Sequence, residues 1–143
     1  MSSIQRILHP TDFSEIAASA QVRAQELAAQ LGAELHVLHV TSPPSSAITA
    51  ELDSSLSSSS SQVRQLRARL QRTLPGGAEA VLAVRTGPAA DTIVAYADDI
   101  AADLIVIGTR ALTGLRLLVL GSVTEAVLRT AGCPVMVVRL GPR

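Results

Sequence analysis

The sequence predicts an open, twisted, parallel α/β sheet with helices on both faces, and three observations lead there. Short apolar runs alternate with helical repeats along the whole chain, as in successive β-α units. The run Asp103-Leu104-Ile105-Val106-Ile107 is apolar and β-branched throughout, the pattern of a strand covered on both sides. Glycine or proline punctuates the junctions, as at Gly32, Pro75-Gly76-Gly77, Gly87-Pro88 and Pro134.

Each element has its own signature. Ile4–His9 reads as the first strand, and Ser14 as the cap of a helix with Ile16, Ala20, Ala24, Leu27, Ala28 and Leu31 on one stripe. Gly32 ends that helix in the left-handed conformation. Glu34–Val40 is the second strand, and Val63, Leu66, Leu70 and Leu74 share one face of the second helix. The serine-rich stretch Ser54–Ser61 continues the Pro43-Pro44-Ser45-Ser46 segment, so residues 42–61 are expected to form a flexible surface loop. Glu79–Arg85 makes the third strand. Pro88 suits the first turn of a third helix whose buried side carries Ile93, Val94, Tyr96, Ala97 and Ile100. Asp103–Ile107 is the fourth strand, Ser122–Thr130 the fourth helix and Val135–Arg139 the fifth strand, with Pro134 at its start because proline cannot donate to a ladder.

The 143 residues fit one domain spanning 1–143, large enough to bury a core without metal or disulfide. Twelve basic residues balance twelve acidic ones, so no net field recruits nucleic acid or an anionic membrane. The basic residues are all arginine, which excludes a P-loop lysine and Schiff-base chemistry. Cys133 is the sole cysteine, which excludes an intramolecular disulfide and fits a reducing cytoplasm. No signal core or bilayer-length apolar run is visible. With no Trp, one Tyr (Tyr96) and one Phe (Phe13), a base would lie against aliphatic side chains. His36 and His39 stand on opposite faces of one strand and His9 on its neighbour, so buried, satisfied histidines are expected rather than a metal site.

The chemistry concentrates between Gly108 and Val123. This stretch joins a buried-strand signal to a helix start, where backbone amides are free to bind an anion and glycines let the chain approach it closely. Ser122-Val123-Thr124-Glu125 reads as a capping box, with Glu125 turned sideways.

The chain resembles the universal stress protein family, whose nucleotide-binding members carry G-x2-G-x9-G-[ST] after the fourth strand. Gly108 takes the first glycine position, Gly121 the third and Ser122 the hydroxyl position, while Ala111 stands at the second glycine. Ile7-Leu8-His9-Pro10-Thr11-Asp12-Phe13-Ser14, Leu31-Gly32-Ala33, Leu38-His39-Val40 and Gly132-Cys133-Pro134-Val135 look like that family's segments. The resemblance implies a Rossmann-like sheet of strand order 3-2-1-4-5, related to the adenine nucleotide alpha-hydrolase fold, with a crevice between strands 1 and 4. It implies an ATP site there, with or without Mg2+. Asp12 would accept hydrogen bonds from ribose or adenine, Val40 would wall the adenine, and Pro10 and Thr11 would shape the turn. Gly108, Thr109, Gly121, Ser122 and Val123 would offer amides and hydroxyls to the phosphates, with Arg110 and Arg116 as neutralising charges.

The implied activity is that of an ATP-dependent sensor or regulator in the stress response, with hydrolysis at most slow, since no general base or acidic metal pair is evident. The alternative is a non-nucleotide interaction module closed by Ala111. If that position needs a positive φ, alanine costs on the order of 1 kcal/mol, and if a phosphate touches its Cα the methyl clashes; either cost could weaken binding tenfold or more, since about 1.4 kcal/mol is a factor of ten. A small enzyme of the alpha-hydrolase type ranks last, lacking a catalytic set. Both leading readings expect a homodimer through the apolar edge strand Val135–Val138.

Overall fold

The computed structural model describes residues 3–42, 52–110 and 120–140, and for residues 52–59, 110 and 140 the backbone alone. Nine elements alternate: β1 (Arg6–Pro10), α1 (Glu15–Leu31), β2 (Glu34–Thr41), α2 (Leu52–Thr73), β3 (Val81–Thr86), α3 (Ala89–Asp99), β4 (Leu104–Arg110), α4 (Ser122–Thr130) and β5 (Val135–Leu140). The strands form one sheet in the order β3-β2-β1-β4-β5, every described pairing being parallel. This is the expected α/β fold and strand order.

Strand alternation explains the two helical layers. Ile7, Leu35, Val37, Val84, Leu104 and Val106 pack with Ala24, Ala28, Leu70 and Leu74, placing α1 and α2 on one face. The intervening Leu8, Leu38, Ala83, Ile105 and Ile107 pack with Ile93, Tyr96, Ala97 and Val127, placing α3 and α4 on the other. Both core clusters run through β1, β2, β3 and β4, so the middle of the sheet is covered on both faces.

The expected caps of α1 are present. Ser14 Oγ accepts from the Ala17 amide at 3.2 Å, and Gly32 closes the helix at φ 64°. Its stripe is narrower than expected: Ala17, Ala20, Gln21, Ala24 and Ala28 are buried, while Leu31 is exposed. Small residues face the sheet and bring α1 close to it.

Two expectations fail along the chain. The serine-rich stretch is not a loop from 52 onward, because α2 already begins at Leu52; serine is only moderately unfavourable in a helix, and the C-terminal half of α2 is anchored by Leu70 and Leu74. The remaining loop positions 43–51 lie outside the described residues. Pro88 is the cap residue of α3 rather than its first helical residue, with extended ψ of 132°.

The histidines are structural and lie apart. His36 donates from Nε2 to Glu34 at 2.5 Å and accepts from the Tyr96 hydroxyl at 2.9 Å, on the α3 side. His39 donates from Nδ1 to the Thr11 carbonyl at 2.8 Å and packs against Phe13 with the rings tilted by 44°, on the opposite side. His9 is fully buried, with Nδ1 donating to the Val106 carbonyl at 2.9 Å and Nε2 left without an aligned partner. Cys133 packs partly buried beside the α3–α4 core, and burial pushes its thiol pKa up. Among the described residues, no helix is long and apolar enough to cross a membrane.

Candidate functional site

The crevice forms where β1 and β4 lie side by side and send their following helices to opposite faces. At the end of β1, local side-chain bonds shape the turn. Thr11 Oγ1 accepts from the Phe13 amide at 3.0 Å, Asp12 Oδ1 from the Ser14 amide at 2.9 Å, and Ser14 then caps α1. The Thr11 amide donates to the Leu38 carbonyl at 2.8 Å, tying the turn to β2. Asp12 is therefore not the cap of α1, and its carboxylate stands exposed at the crevice.

At the end of β4, two threonines stitch the strand to α4. Thr109 Oγ1 accepts from the Gly121 amide at 3.1 Å, and Thr124 Oγ1 donates to the Gly108 carbonyl at 3.1 Å. Both threonines are buried. The expected capping box is absent: Gly121 is the N-cap, Ser122 the first helical residue, and Glu125 pairs with Arg129 one turn on. The physical reason is register. A serine inside the helix cannot fold back onto the first-turn amides, which need an acceptor from the residue before it. Among the described residues no side chain caps α4, so its first amides carry the positive end of the helix dipole toward the crevice.

The two motif glycines do different work. A Cβ on Gly108 would stand 2.7 Å from Ile16 Cγ2 and 2.9 Å from the Ile16 carbonyl, so this glycine lets β4 touch α1. Gly121 has φ −61° and would place a Cβ no closer than 4.0 Å to Thr109 Oγ1. Neither the backbone nor a neighbour demands glycine there.

A cavity of about 330 Å³ occupies the crevice. It brings together Pro10, Thr11, Asp12, Val40, Gly108, Thr109, Gly121, Ser122 and Val123. Arg110 ends β4 with only its backbone described, and Ala111 and Arg116 lie outside the described residues. Sequence reasoning missed Ser14, Ile16, Ala17, Ala89, Ile93, Ile107 and Thr124, which also line the cavity. Ile107 had a signal, as the last apolar residue before Gly108. Ala89 and Ile93 had none, because α3 reaches the crevice only through the folded sheet. Along one wall Val40, Ala89, Ile93 and Ile107 are apolar, and around Ser122–Thr124 the lining is amide and hydroxyl. Among the described residues no group of three His, Cys, Asp or Glu side chains could hold a metal ion.

Comparison with known proteins bears on this arrangement. The profile of the universal stress protein family matches residues 3–139. The chain belongs to the universal stress protein family. A universal stress protein of Methanocaldococcus jannaschii is 34% identical over 140 residues, covering 94% of this chain and 82% of its own. The structure of universal stress protein UspA from Lactobacillus plantarum is 29% identical, covers 97% of this chain and all of its own, and superimposes with a TM-score of 0.73. A universal stress protein solved in complex with cAMP is 26% identical over 96% of this chain and 98% of its own, with a TM-score of 0.63. The Archaeoglobus fulgidus universal stress protein solved in complex with dAMP is 25% identical, again over 96% and 98%, with a TM-score of 0.57. Some structural neighbours of this universal stress protein thus bind adenine nucleotides.

Proposed function

We propose that this universal stress protein binds an adenine nucleotide in the β1–β4 crevice and acts as a nucleotide-dependent regulator. The observation that carries the reading is the shared cavity: an acceptor carboxylate, an apolar wall and an uncapped helix start line one space of nucleotide size. Adenine lies against Val40, Ala89, Ile93 and Ile107. Asp12 accepts from a ribose hydroxyl, and the first phosphate sits on the amides of Ser122, Val123 and Thr124 with help from the Ser122 hydroxyl. Gly121 fits this placement, since its missing side chain leaves room that no described residue fills. No metal site built from protein side chains is proposed, and no residue is given a catalytic role.

The reading includes a homodimer through β5, an edge strand whose Met136 is exposed and whose neighbours Val135, Val137 and Val138 are partly buried. Titration calorimetry and thermal melting with AMP, Mg-ATP and GTP test the nucleotide. Adenine nucleotides at a hundredfold excess over their dissociation constant should stabilise the protein by about 2.7 kcal/mol. No heat and no thermal shift with millimolar AMP or Mg-ATP would overturn the proposal. If wild type is inert but Ala111→Gly binds, the protein is instead a non-nucleotide module closed by the alanine methyl.

A further inference from the structure

A second cavity of about 350 Å³ lies between α1 and α2, on the far side of the Thr11–Ser14 turn from the nucleotide crevice. Among the described residues its lining contains no carboxylate. It contains the guanidinium of Arg69, which forms no ion pair among the described residues. The Arg69 Cζ sits 4.0 Å from the centre of the Phe13 ring, which packs in turn on His39 with ring centres 4.6 Å apart. Because His39 is hydrogen-bonded to the Thr11 carbonyl, this contact chain is tied to the turn after β1. Arg69 is exposed, and the ring contact uses no N–H donor, so its guanidinium keeps donors for an oxyanion.

Two further observations mark a built cavity. Gln21 is 4% exposed and donates from Nε2 to both the carbonyl and the hydroxyl of Thr73, at 3.2 and 2.9 Å, locking α1 to α2 along one wall. Phe13 holds φ 66°, a conformation that bulky side chains rarely adopt and that turns its ring into this cavity while Asp12 lines the other. Val22, with 55% of its surface exposed, joins Phe13 and Ala18 as apolar lining. An inorganic anion would satisfy Arg69 and leave that lining wet.

We propose that the α1–α2 cavity is a second ligand site, taking a small organic carboxylate whose charge pairs with Arg69 and whose short apolar body covers Phe13, Ala18 and Val22. The proposal does not rest on the nucleotide reading, because the cavity has its own charge in Arg69, although Thr11, Ser14 and α1 border both cavities. The test titrates benzoate and butyrate into isotope-labelled full-length protein and follows backbone amide shifts, with benzamide as the neutral control and inorganic phosphate as the control without an apolar body. Saturable shifts at Phe13, Gln21 and Arg69 with the carboxylates, and none with benzamide, are expected. Arg69→Gln should weaken binding about tenfold or more, consistent with loss of a charged hydrogen-bonding partner. Gln25→Glu, which puts a carboxylate into the same lining on partly exposed α1, should weaken it as well; melting curves check that both variants fold. The proposal is overturned if benzamide binds equally, if phosphate binds as tightly as benzoate, or if both variants bind like wild type. It is also overturned if the shifts fall on Ser122–Thr124 or spread evenly over Arg64, Arg67 and Arg72.

Discussion

Replacing each motif glycine by alanine separates packing from ligand approach. At Gly108 the new methyl meets a side-chain carbon at 2.7 Å and a backbone oxygen at 2.9 Å, both on Ile16. The first can rotate, but the second belongs to α1, whose cap and buried alanines fix its distance from the sheet. Overpacking of this kind costs about 1–3 kcal/mol, and the entropy alanine removes from the unfolded chain returns about 0.4–1 kcal/mol. Gly108→Ala should therefore be destabilised by about 1–2 kcal/mol, a fall in Tm of roughly 3–8 °C for a domain this size. At Gly121 the φ of −61° suits any residue and a Cβ has room. Alanine is a poorer N-cap than glycine by about 0.5–1 kcal/mol, which nearly cancels the same entropy gain. Gly121→Ala should melt within a few degrees of wild type yet bind AMP about tenfold more weakly, because the methyl stands where phosphate approaches. Urea unfolding and calorimetry read the two effects separately. Wild-type affinity in Gly121→Ala would refute the phosphate placement, and wild-type stability in Gly108→Ala would refute the packing account.

Three more outcomes are expected. Burial lowers the His9 pKa from 6.5 to about 4, opposed by the Val106 and Ala17 carbonyls and by Asp12. The folded state thus binds the proton less readily than the unfolded one, so His9 costs nothing above about pH 6.5 and stability falls as pH drops toward 4, by about 3 kcal/mol in all. Urea midpoints at pH 7.5 and 4.5 should show this fall, and His9→Asn, whose amide can still donate to Val106, should flatten it; an unchanged pH profile would refute the assignment. Asp12→Asn keeps an acceptor for the Ser14 amide but loses the charge, so AMP affinity should drop about three- to tenfold with little change in Tm; equal affinity would remove Asp12 from the site. Light scattering at micromolar concentration should give a dimer, and a monomer would dismiss pairing through β5.

What could be read from the sequence was local or periodic. Ser14 and Gly32 announce the ends of α1 because each satisfies backbone groups within a turn. Alternation along Leu35–Val40 separates the two core layers because the strand period is two. What could not be read depends on distant partners. Serine at 122 and glycine at 121 are both acceptable caps, and the choice falls on Gly121 because Thr109 holds its amide from the end of β4 while Thr124 reaches back to Gly108. No local rule contains those bonds. Gly108 illustrates the same limit: the motif marks a glycine, but only the approach of Ile16 reveals that its role is packing. Strand order came from resemblance, since five parallel strands can be arranged in several ways with the same periodicity.

The Thr11–Ser14 turn is where these levels meet. Thr11 and Ser14 line both cavities, Asp12 only the crevice and Phe13 only the α1–α2 cavity. A left-handed aromatic residue costs about 1–3 kcal/mol. Against this, its contact with the His39 ring contributes about 0.5–1.5 kcal/mol and the guanidinium over its face about 0.5–1 kcal/mol. The two sums are comparable, so neither contact alone holds Phe13 in place, and the hydrogen bonds that Thr11 and Asp12 accept from the turn amides add to them. The carboxylate offered to the crevice is thus positioned by the same balance that orients Phe13 and Arg69 on the other side. A change in either cavity acts on one shared turn.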